Sequence, residues 1–250
     1  METAVFYFDR ERALILWLQT HLSPFILTFP DPVSNPGDRM CMILIPGTLY
    51  RSIDKKKGRN ILFTVFFTIT QFGMIKNTVR RSRPYMGHKE IQCLKVPTEG
   101  STDIYNIAVH GYSFPSGHCA NIGAMMGSFC HYLKKRWFNI FAAVLSILMA
   151  LSRCAMGVHY PADVLTGLIL GRICAWLIDD LQDRYDAQKV HLILTVISLI
   201  GLCFARSEEY FTAVGILVGF RPAIEVDEKY IHFQTSFRCG VSGIGNLSVS

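Results

Sequence analysis

The fold class is decided by an uncharged apolar stretch between basic residues, WFNIFAAVLSILMALS at residues 137–152. Lys134, Lys135 and Arg136 precede this stretch, and Arg153 follows it directly. A transmembrane helix needs about 20 mostly apolar residues, and basic residues commonly mark its ends. The stretch therefore predicts a helix that crosses a membrane.

Similar apolar stretches recur along the whole chain, at about 13–29, 40–50, 60–75, 117–133, 137–152, 164–179, 190–205 and 210–224. Hydrophobic residues make up 50% of the sequence and charged residues only 18%, whereas soluble domains carry about a quarter charged residues. We therefore expect an all-α, polytopic membrane helix bundle of at least six spans, with eight as the favoured number.

The domain organisation follows from the same pattern. Residues 1–224 form the predicted membrane domain, and residues 225–250 form a polar C-terminal tail. The chain starts with a polar segment that has no features of a cleavable signal peptide, so the first apolar stretch is expected to stay in the protein.

Basic residues between the apolar stretches predict the orientation. One cluster spans residues 51–59, and a second comprises residues 134–136. Both fall on the same side if every stretch crosses, and the positive-inside rule makes that side cytoplasmic. The segments 77–116 and 153–163 then face outward or into a lumen. Because the net charge of +6 lies largely in such loops, we do not expect a nucleic acid partner.

Three cations at ends of apolar stretches predict an anion site on the non-cytoplasmic side. They are Lys76, Arg83 and Arg153. Charged side chains at membrane depth are costly and usually line a wet cavity, and guanidinium groups match phosphate oxygens in pairs. For the neighbouring Arg80 and Arg81, anchoring to lipid headgroups is an equally good interpretation.

The segment Pro115–His118 predicts a helix start that suits the same anion. Ser116 occupies an N-cap position, and Gly117 allows a phosphate to approach the backbone closely. The N-terminus of a helix attracts anions. His118 would project toward the bound group. For this segment alone, an ordinary helix start with an incidental histidine is the alternative.

A histidine and a carboxylate lie four residues apart, at His159 and Asp163. Pro161 is suited to the first turn of a helix, so Asp163 lies within reach of His159. A carboxylate that fixes the imidazole tautomer leaves the other ring nitrogen free to attack. A helix-capping aspartate beside a surface histidine is the alternative. Charge neutralisation, a nucleophile and a proton donor are together what phosphoryl transfer requires.

These clusters resemble the three-part signature of the type 2 phosphatidic acid phosphatase superfamily, over about residues 60–180. The resemblance implies a six-helix core, to which the eight apolar stretches would add two further spans. It implies that His159 becomes a phosphohistidine, that Asp163 orients it, and that His118 protonates the leaving group. The phosphate would be held by Lys76, Arg83, Ser116, Gly117 and Arg153.

The resulting functional expectation is a metal-independent lipid phosphatase without a cofactor, in a plasma membrane or an internal membrane. Its partners would be the bilayer and a lipid phosphate, such as phosphatidic acid, a sphingoid-base phosphate or an isoprenyl diphosphate. Two alternatives remain open, a phosphatase for a soluble sugar phosphate and a catalytically silent membrane binding or transport protein. The outer loop 85–113 is expected to help select the substrate.

Overall fold

The structure is a computed structural model that describes residues 7–21, 36–94 and 111–231, with residues 36–42 described by their backbone alone. The described residues are helical and contain no strand, which confirms the all-α prediction. The helices are α1 Asp9–His21, α2 Pro36–Ser52, α3 Lys55–Val79, α4 Pro84–Gly87, α5 Gly117–Leu133, α6 Arg136–Ala155, α7 Pro161–Arg184, α8 Ala187–Leu199 and α9 Glu208–Val226. A 3₁₀ turn, Ile200–Cys203, follows α8, and a π-helical turn, Asp227–Ile231, follows α9.

Helices α5 and α7 run parallel and make the most extensive helix–helix contact among the described residues. A Cβ placed on Gly167 would lie 2.6 Å from the carbonyl oxygen of Ser116, and one on Gly127 would lie 2.7 Å from Cβ of Ala175. Small residues four positions apart allow two helices to approach this closely. Because the helices are parallel, both N-termini, with their positive dipole ends, lie at one end of the bundle.

Polar side chains of α3 face the bundle interior. Thr64 donates a hydrogen bond from Oγ1 to Oδ1 of Asp179 over 3.1 Å, and Oγ1 of Thr70 lies 3.1 Å from Oγ of Ser198. All four residues are fully buried. Buried hydroxyl and carboxyl groups of this kind hydrogen-bond across helices in membrane bundles.

In the described part of the chain, one helix, α6, is both long enough and apolar enough to cross a membrane, judged by length and composition alone. At 1.5 Å per residue, α3 and α7 would each extend about 36 Å, but their inward-facing polar residues lower their hydropathy. The predicted numbers of six and eight spans therefore remain predictions. Large apolar side chains nevertheless cover the outer faces of three helices: Trp137, Ile140, Phe141, Val144, Ile147, Leu148 and Leu151 on α6; Leu165, Ile169, Ile173, Trp176 and Leu177 on α7; Leu192, Ile193, Val196 and Ile197 on α8.

The two basic loops lie together at one end of the bundle. Lys56, Lys57 and Lys134 line the same pocket of about 330 Å³, beside Asp54 and Asp183. The helix directions place the segments 80–83, 111–116 and 156–160 at the opposite end. This arrangement agrees with the expectation that both basic loops share one side.

Helix α1 lies across that opposite end. Near its start, Glu11 accepts a hydrogen bond from the backbone N–H of Ala162 over 2.9 Å. Near its end, Gln19 donates from Nε2 to the carbonyl oxygens of Gln92 and Ala155 over 2.8 and 3.0 Å. Both contacts are to segments at the same end of the bundle. These thirteen residues therefore lie across that end, whereas a spanning helix would run along the bundle. Residues 22–29 of the first apolar stretch lie outside the described residues.

The polar segment after residue 224 is partly ordered as helix. Asp227 forms an ion pair with Lys55 at 2.5 Å, and Glu228 forms one with Arg59 at 2.7 Å. These contacts fix the end of α9 to the start of α3. Residues 232–250 of the predicted tail lie outside the described residues.

Candidate active site

His159 lies buried in the loop between α6 and α7, with 2% of its surface exposed. Its Nδ1 is 2.8 Å from the carbonyl oxygen of Ser113. A carbonyl oxygen only accepts hydrogen bonds, so Nδ1 carries the proton. In the neutral ring, Nε2 then has the lone pair. The loop geometry therefore fixes which nitrogen is available as a nucleophile.

The loop that carries His159 depends on a glycine. Gly157 has a φ of +72°, which side chains rarely allow. A Cβ at this position would also lie 2.5 Å from the carbonyl oxygen of Gln92. Both observations require glycine in the turn that directs His159 toward Ser113.

Asp163 lies close to His159 but does not hydrogen-bond to it directly. The distance from Oδ2 to Nδ1 of the histidine is 3.8 Å. Its oxygens instead accept from Nη1 of Arg81 at 2.5 Å, from the backbone N–H of Tyr160 at 2.9 Å, and from Oγ of Ser113. The expected direct contact is thus replaced by a relay, since Asp163 holds Ser113 and the carbonyl oxygen of Ser113 holds His159.

The environment of His159 keeps its imidazole neutral. Burial lowers the pKa of His159 to about 3, because the charged ring loses its hydration. The carboxylate of Asp163 opposes this shift, whereas Arg83 and Lys76 lower the pKa further. The ring therefore remains neutral at neutral pH, with its one proton on Nδ1, and the charges of two predicted cations act on it.

Lys76 and Arg83 reach this end of the bundle from the last turn of α3 and the segment after it. A Cβ placed on Gly117 would lie 3.6 Å from Nζ of Lys76, so the ammonium group lies at the start of α5. Arg83 donates from Nε to the carbonyl oxygen of Gly111 over 3.1 Å, and from Nη1 to that of Val158 over 3.2 Å. Arg83 thereby connects the segments that precede α5 and His159.

Lys76 also has a carboxylate neighbour that sequence reasoning did not consider. Oε2 of Glu209, in the first turn of α9, lies 3.7 Å from Nζ of Lys76. Lys76 therefore has a negatively charged neighbour even without a bound phosphate. The glutamate side chain is about half exposed, at 54%, so its attraction for Lys76 is partly screened.

Ser116 stands at the N-cap position of α5, as predicted, but its hydroxyl does not cap the helix. Its Oγ is buried and has no hydrogen-bond partner among the described residues. Its backbone N–H donates to the carbonyl oxygen of Asp163 over 3.0 Å. A buried hydroxyl without a partner is unusual, and a phosphate oxygen would satisfy it.

His118 and Arg153 lie at the same end of the bundle. His118 is the second residue of α5 and is half-buried, and Arg153 is in the last turn of α6 with 1% of its surface exposed. The eight predicted site residues therefore share one end of the molecule, and six of them are connected by the contacts given above.

Arg81 is a buried part of the site, and its interpretation as a lipid-headgroup anchor is wrong. It is 1% exposed, and its guanidinium carbon lies 4.0 Å from the ring centroid of Tyr160. It binds Asp163 and, through Nη2, Oε2 of Glu11 at 2.9 Å. Its spacing of two residues from Arg83 was an available signal, because alternate residues of an extended segment share a face. No local pattern pointed to Glu11.

The outer loop is described only at its two ends. His88 is buried and packs its ring against Tyr7, with centroids 4.3 Å apart, while Lys89 is exposed. The other candidates for substrate contact, Lys95, Glu99, Asp103 and His110, lie outside the described residues.

The sequence of the chain is similar to those of known lipid phosphatases. A lipid A 1-phosphatase of Rhizobium johnstonii is 32% identical over 119 residues, which cover 48% of this chain and 44% of that protein. A lipid A 4'-phosphatase of Bacteroides thetaiotaomicron is 37% identical over 68 residues, covering 27% of this chain and 30% of that protein. The matched region spans less than half the length of these relatives.

The fold is also that of a solved membrane protein. The crystal structure of a transmembrane PAP2 type phosphatidylglycerolphosphate phosphatase from Bacillus subtilis superposes with a TM-score of 0.56. The sequences are 21% identical, and the match covers 71% of this chain and 87% of that chain. The family model described as PAP2 superfamily matches residues 57–185, which include the eight predicted site residues. The chain therefore belongs to the PAP2 superfamily.

Proposed function

We propose that this protein is an integral membrane phosphatase that hydrolyses a lipid phosphate through a covalent phosphohistidine at His159. The observation that carries the proposal is the 2.8 Å hydrogen bond between Nδ1 of His159 and the carbonyl oxygen of Ser113. It leaves the lone pair on Nε2 of a ring on which the positive charges of Lys76 and Arg83 act. A neutral imidazole in a positively charged pocket is suited to attack a phosphate.

In the first half-reaction, the lone pair on Nε2 of His159 forms a bond to phosphorus, and the bond from phosphorus to the lipid oxygen breaks. The lipid oxygen leaves with the bonding electrons and takes a proton from His118. The negative charge that develops on the phosphoryl oxygens is stabilised by preorganised donors and cations. These groups are Lys76, Arg83, Arg153, the hydroxyl of Ser116 and the N-terminus of α5 at Gly117.

In the second half-reaction, a water molecule attacks the phosphohistidine and gives a proton to His118. The bond between nitrogen and phosphorus breaks, and its electrons return to Nε2 of His159. The products are inorganic phosphate and a lipid alcohol, or a lipid monophosphate when the substrate is a diphosphate, and no oxidation or reduction takes place. The ring is cationic while it carries the phosphoryl group, and the carboxylate of Asp163 at 3.8 Å offsets that charge.

The apolar surface of the bundle supports a lipid as the substrate. The exposed apolar faces of α6 and α7 continue to the end that carries the site, so an acyl or prenyl chain can stay in the bilayer while the phosphate enters. The named relatives act on lipid A, and the solved neighbour on phosphatidylglycerolphosphate. We propose the same broad class here, which includes phosphatidic acid, sphingoid-base phosphates and isoprenyl diphosphates.

We further propose that the site faces away from the cytoplasm and that the reaction needs no metal. The first proposal rests on the basic loops at the opposite end of the bundle. The second rests on the donor set. In the described part of the chain, no three histidine, cysteine or acidic side chains are grouped as metal ligands, whereas the positive charges of Lys76 and Arg83 act on the proposed nucleophile.

The test is phosphate release by purified protein from a panel of phosphatidic acid, sphingosine 1-phosphate, a polyprenyl diphosphate and glucose 6-phosphate, with and without a chelator. We expect turnover of one or more lipids in the chelator. Turnover of the sugar phosphate alone would overturn the lipid substrate. Activity that required restored magnesium would overturn the metal-free reaction, and no turnover of any substrate would favour a silent binding protein.

The nucleophile is tested with substrate labelled with phosphorus-32. The protein is trapped during turnover, and the stability of the label that it carries is compared in acid and in base. His159→Ala is expected to abolish both turnover and the base-stable label. The matched control is His131→Ala, which removes a histidine at the other end of the bundle, where it pairs with Asp183 at 2.8 Å. A label that survives His159→Ala would show that another residue carries the phosphoryl group.

A further inference from the structure

Glu11 extends from α1 into the candidate site and contacts Arg81. Its side chain is 8% exposed, and its Oε2 lies 2.9 Å from Nη2 of Arg81. The same guanidinium binds Oδ1 of Asp163 through Nη1 at 2.5 Å. The three charged side chains thus form one buried chain of ion pairs, which begins on α1 and ends beside His159.

Glu11 also holds the start of α7. Its Oε1 accepts from the backbone N–H of Ala162 over 2.9 Å, and α7 begins at Pro161. A carboxylate at a helix N-terminus is favourable because of the helix dipole and the unpaired N–H groups there. The first turn of α7 carries Asp163, so Glu11 supports this carboxylate through both the backbone and Arg81.

The charges of this cluster do not cancel. Arg81 contributes one positive charge, and Glu11 and Asp163 contribute one negative charge each, which leaves one net negative charge. Without Glu11, the formal charges of Arg81 and Asp163 would sum to zero. A neutral pair would offer little stabilisation to a cationic ring at 3.8 Å from Asp163.

We propose that Glu11 is a positioning residue of the phosphatase reaction, which balances Arg81 so that the charge of Asp163 acts on His159. The inference rests on the proposed function, because it requires His159 to become cationic in the covalent intermediate. It assigns α1 to the site, although α1 lies outside the region that carries the three signature clusters.

The first arm of the experiment separates charge from shape. Glu11→Gln preserves the size of the side chain and removes its charge, whereas Glu11→Asp shortens it and keeps the charge. We expect kcat per folded protein to fall at least about tenfold in Glu11→Gln, with KM changed little, and to fall less in Glu11→Asp. A structural role alone would give the opposite ranking.

The second arm restores the net charge. In the double variant Glu11→Gln with Arg81→Gln, both charges are removed and the charge of Asp163 is again uncompensated. We expect its kcat to exceed that of Glu11→Gln, because contacting residues of one network are not additive. The matched control is Glu225→Gln, at an exposed glutamate near the C-terminal end of α9 that lies 3.0 Å from Arg221, and it should not change kcat.

The inference is overturned if Glu11→Gln equals the wild type, or if Glu11→Gln is more active than Glu11→Asp. If Glu11→Gln fails to fold, Glu11→Asp and the double variant provide the test. A fall in kcat of more than about tenfold in both variants would then overturn the inference. An inactive wild type would instead count against the proposed function. An active wild type that is insensitive to Glu11→Gln rejects only the role of Glu11.

Discussion

Gly171 of α7 lies directly against Ala120 of α5. A Cβ placed on Gly171 would be 2.2 Å from the carbonyl oxygen of Ala120, which is far inside van der Waals contact. The oxygen that this Cβ would meet belongs to the backbone, so rotation of a side chain cannot make room for a larger residue at position 171. The two helices that bring their N-termini to the site are therefore held in register by the absence of a side chain.

Gly171→Ala is expected to separate α5 from α7 and to reduce both stability and activity. Overpacking of this kind costs about 1–3 kcal/mol. The measurement is the thermal midpoint in detergent together with phosphate release. Gly215→Ala is the matched control, because a Cβ there has no atom within 4 Å and alanine favours a helix over glycine by up to about 1 kcal/mol. Equal midpoints for Gly171→Ala and the wild type would contradict the close approach.

Ser113→Ala is expected to lower activity without abolishing it. The substitution removes the hydroxyl that donates to Asp163 but keeps the carbonyl oxygen that holds His159. A hydrogen bond to a charged group contributes about 1.5–3 kcal/mol, so kcat/KM should fall by about one to two orders of magnitude. A loss as complete as that of His159→Ala would show that the hydroxyl has a direct chemical role.

Lys76→Ala is expected to reduce kcat/KM strongly, because the ammonium at the start of α5 would stabilise charge in the transition state by several kcal/mol. Glu209→Gln should have the opposite and smaller effect, since it removes an exposed competitor 3.7 Å from Lys76. Exposed ion pairs are worth up to about 1 kcal/mol, so KM should fall by no more than about fivefold. Both variants are compared in steady-state assays at fixed ionic strength. An increase in KM for Glu209→Gln would mean that the carboxylate contributes to substrate binding.

The pH dependence of the protein should reflect the lowered pKa of His159. Because that pKa is about 3, below the ordinary value of 6.5, His159 itself should impose no acid limb on kcat/KM near pH 6.5.

The free energy of unfolding should depend on pH through the same lowered pKa of His159. The contribution of the neutral ring is fully present above pH 6.5 and is lost as the pH falls toward 3, because the unfolded chain takes up the proton first. Denaturation of His159→Gln between pH 6.5 and 4 should show a slope smaller than that of the wild type by up to about 1.4 kcal/mol per pH unit. Identical slopes would contradict the burial of a neutral imidazole.

The sequence predicts the apolar helices and the clusters at their ends because both depend on local patterns. Cations and histidines that flank apolar stretches must lie near helix termini, and the structure places Lys76, Arg83, Ser116 and His159 there. Hydropathy was less informative for the number of spans. The inward-facing Thr64 and Asp179 satisfy each other, so a helix can be long and interior without being uniformly apolar.

Contacts between distant parts of the chain were not accessible in the same way. Glu11 meets Arg81 across 70 positions and Ala162 across 151 positions, and no periodicity records such a pairing. The prediction that Asp163 would bind His159 directly failed for a related reason. Four positions along the chain bring the two groups near each other, but competing donors from Arg81, Ser113 and Tyr160 occupy the carboxylate.

The acceptor for His159 is a main-chain oxygen, which every amino acid carries whatever its side chain. The orientation of the ring is therefore encoded in the path of the chain around position 113, and residue identity at that position does not reveal it. Comparisons of amino-acid letters alone will miss this element in other proteins. It becomes visible only when the direction of the carbonyl group is compared in three dimensions.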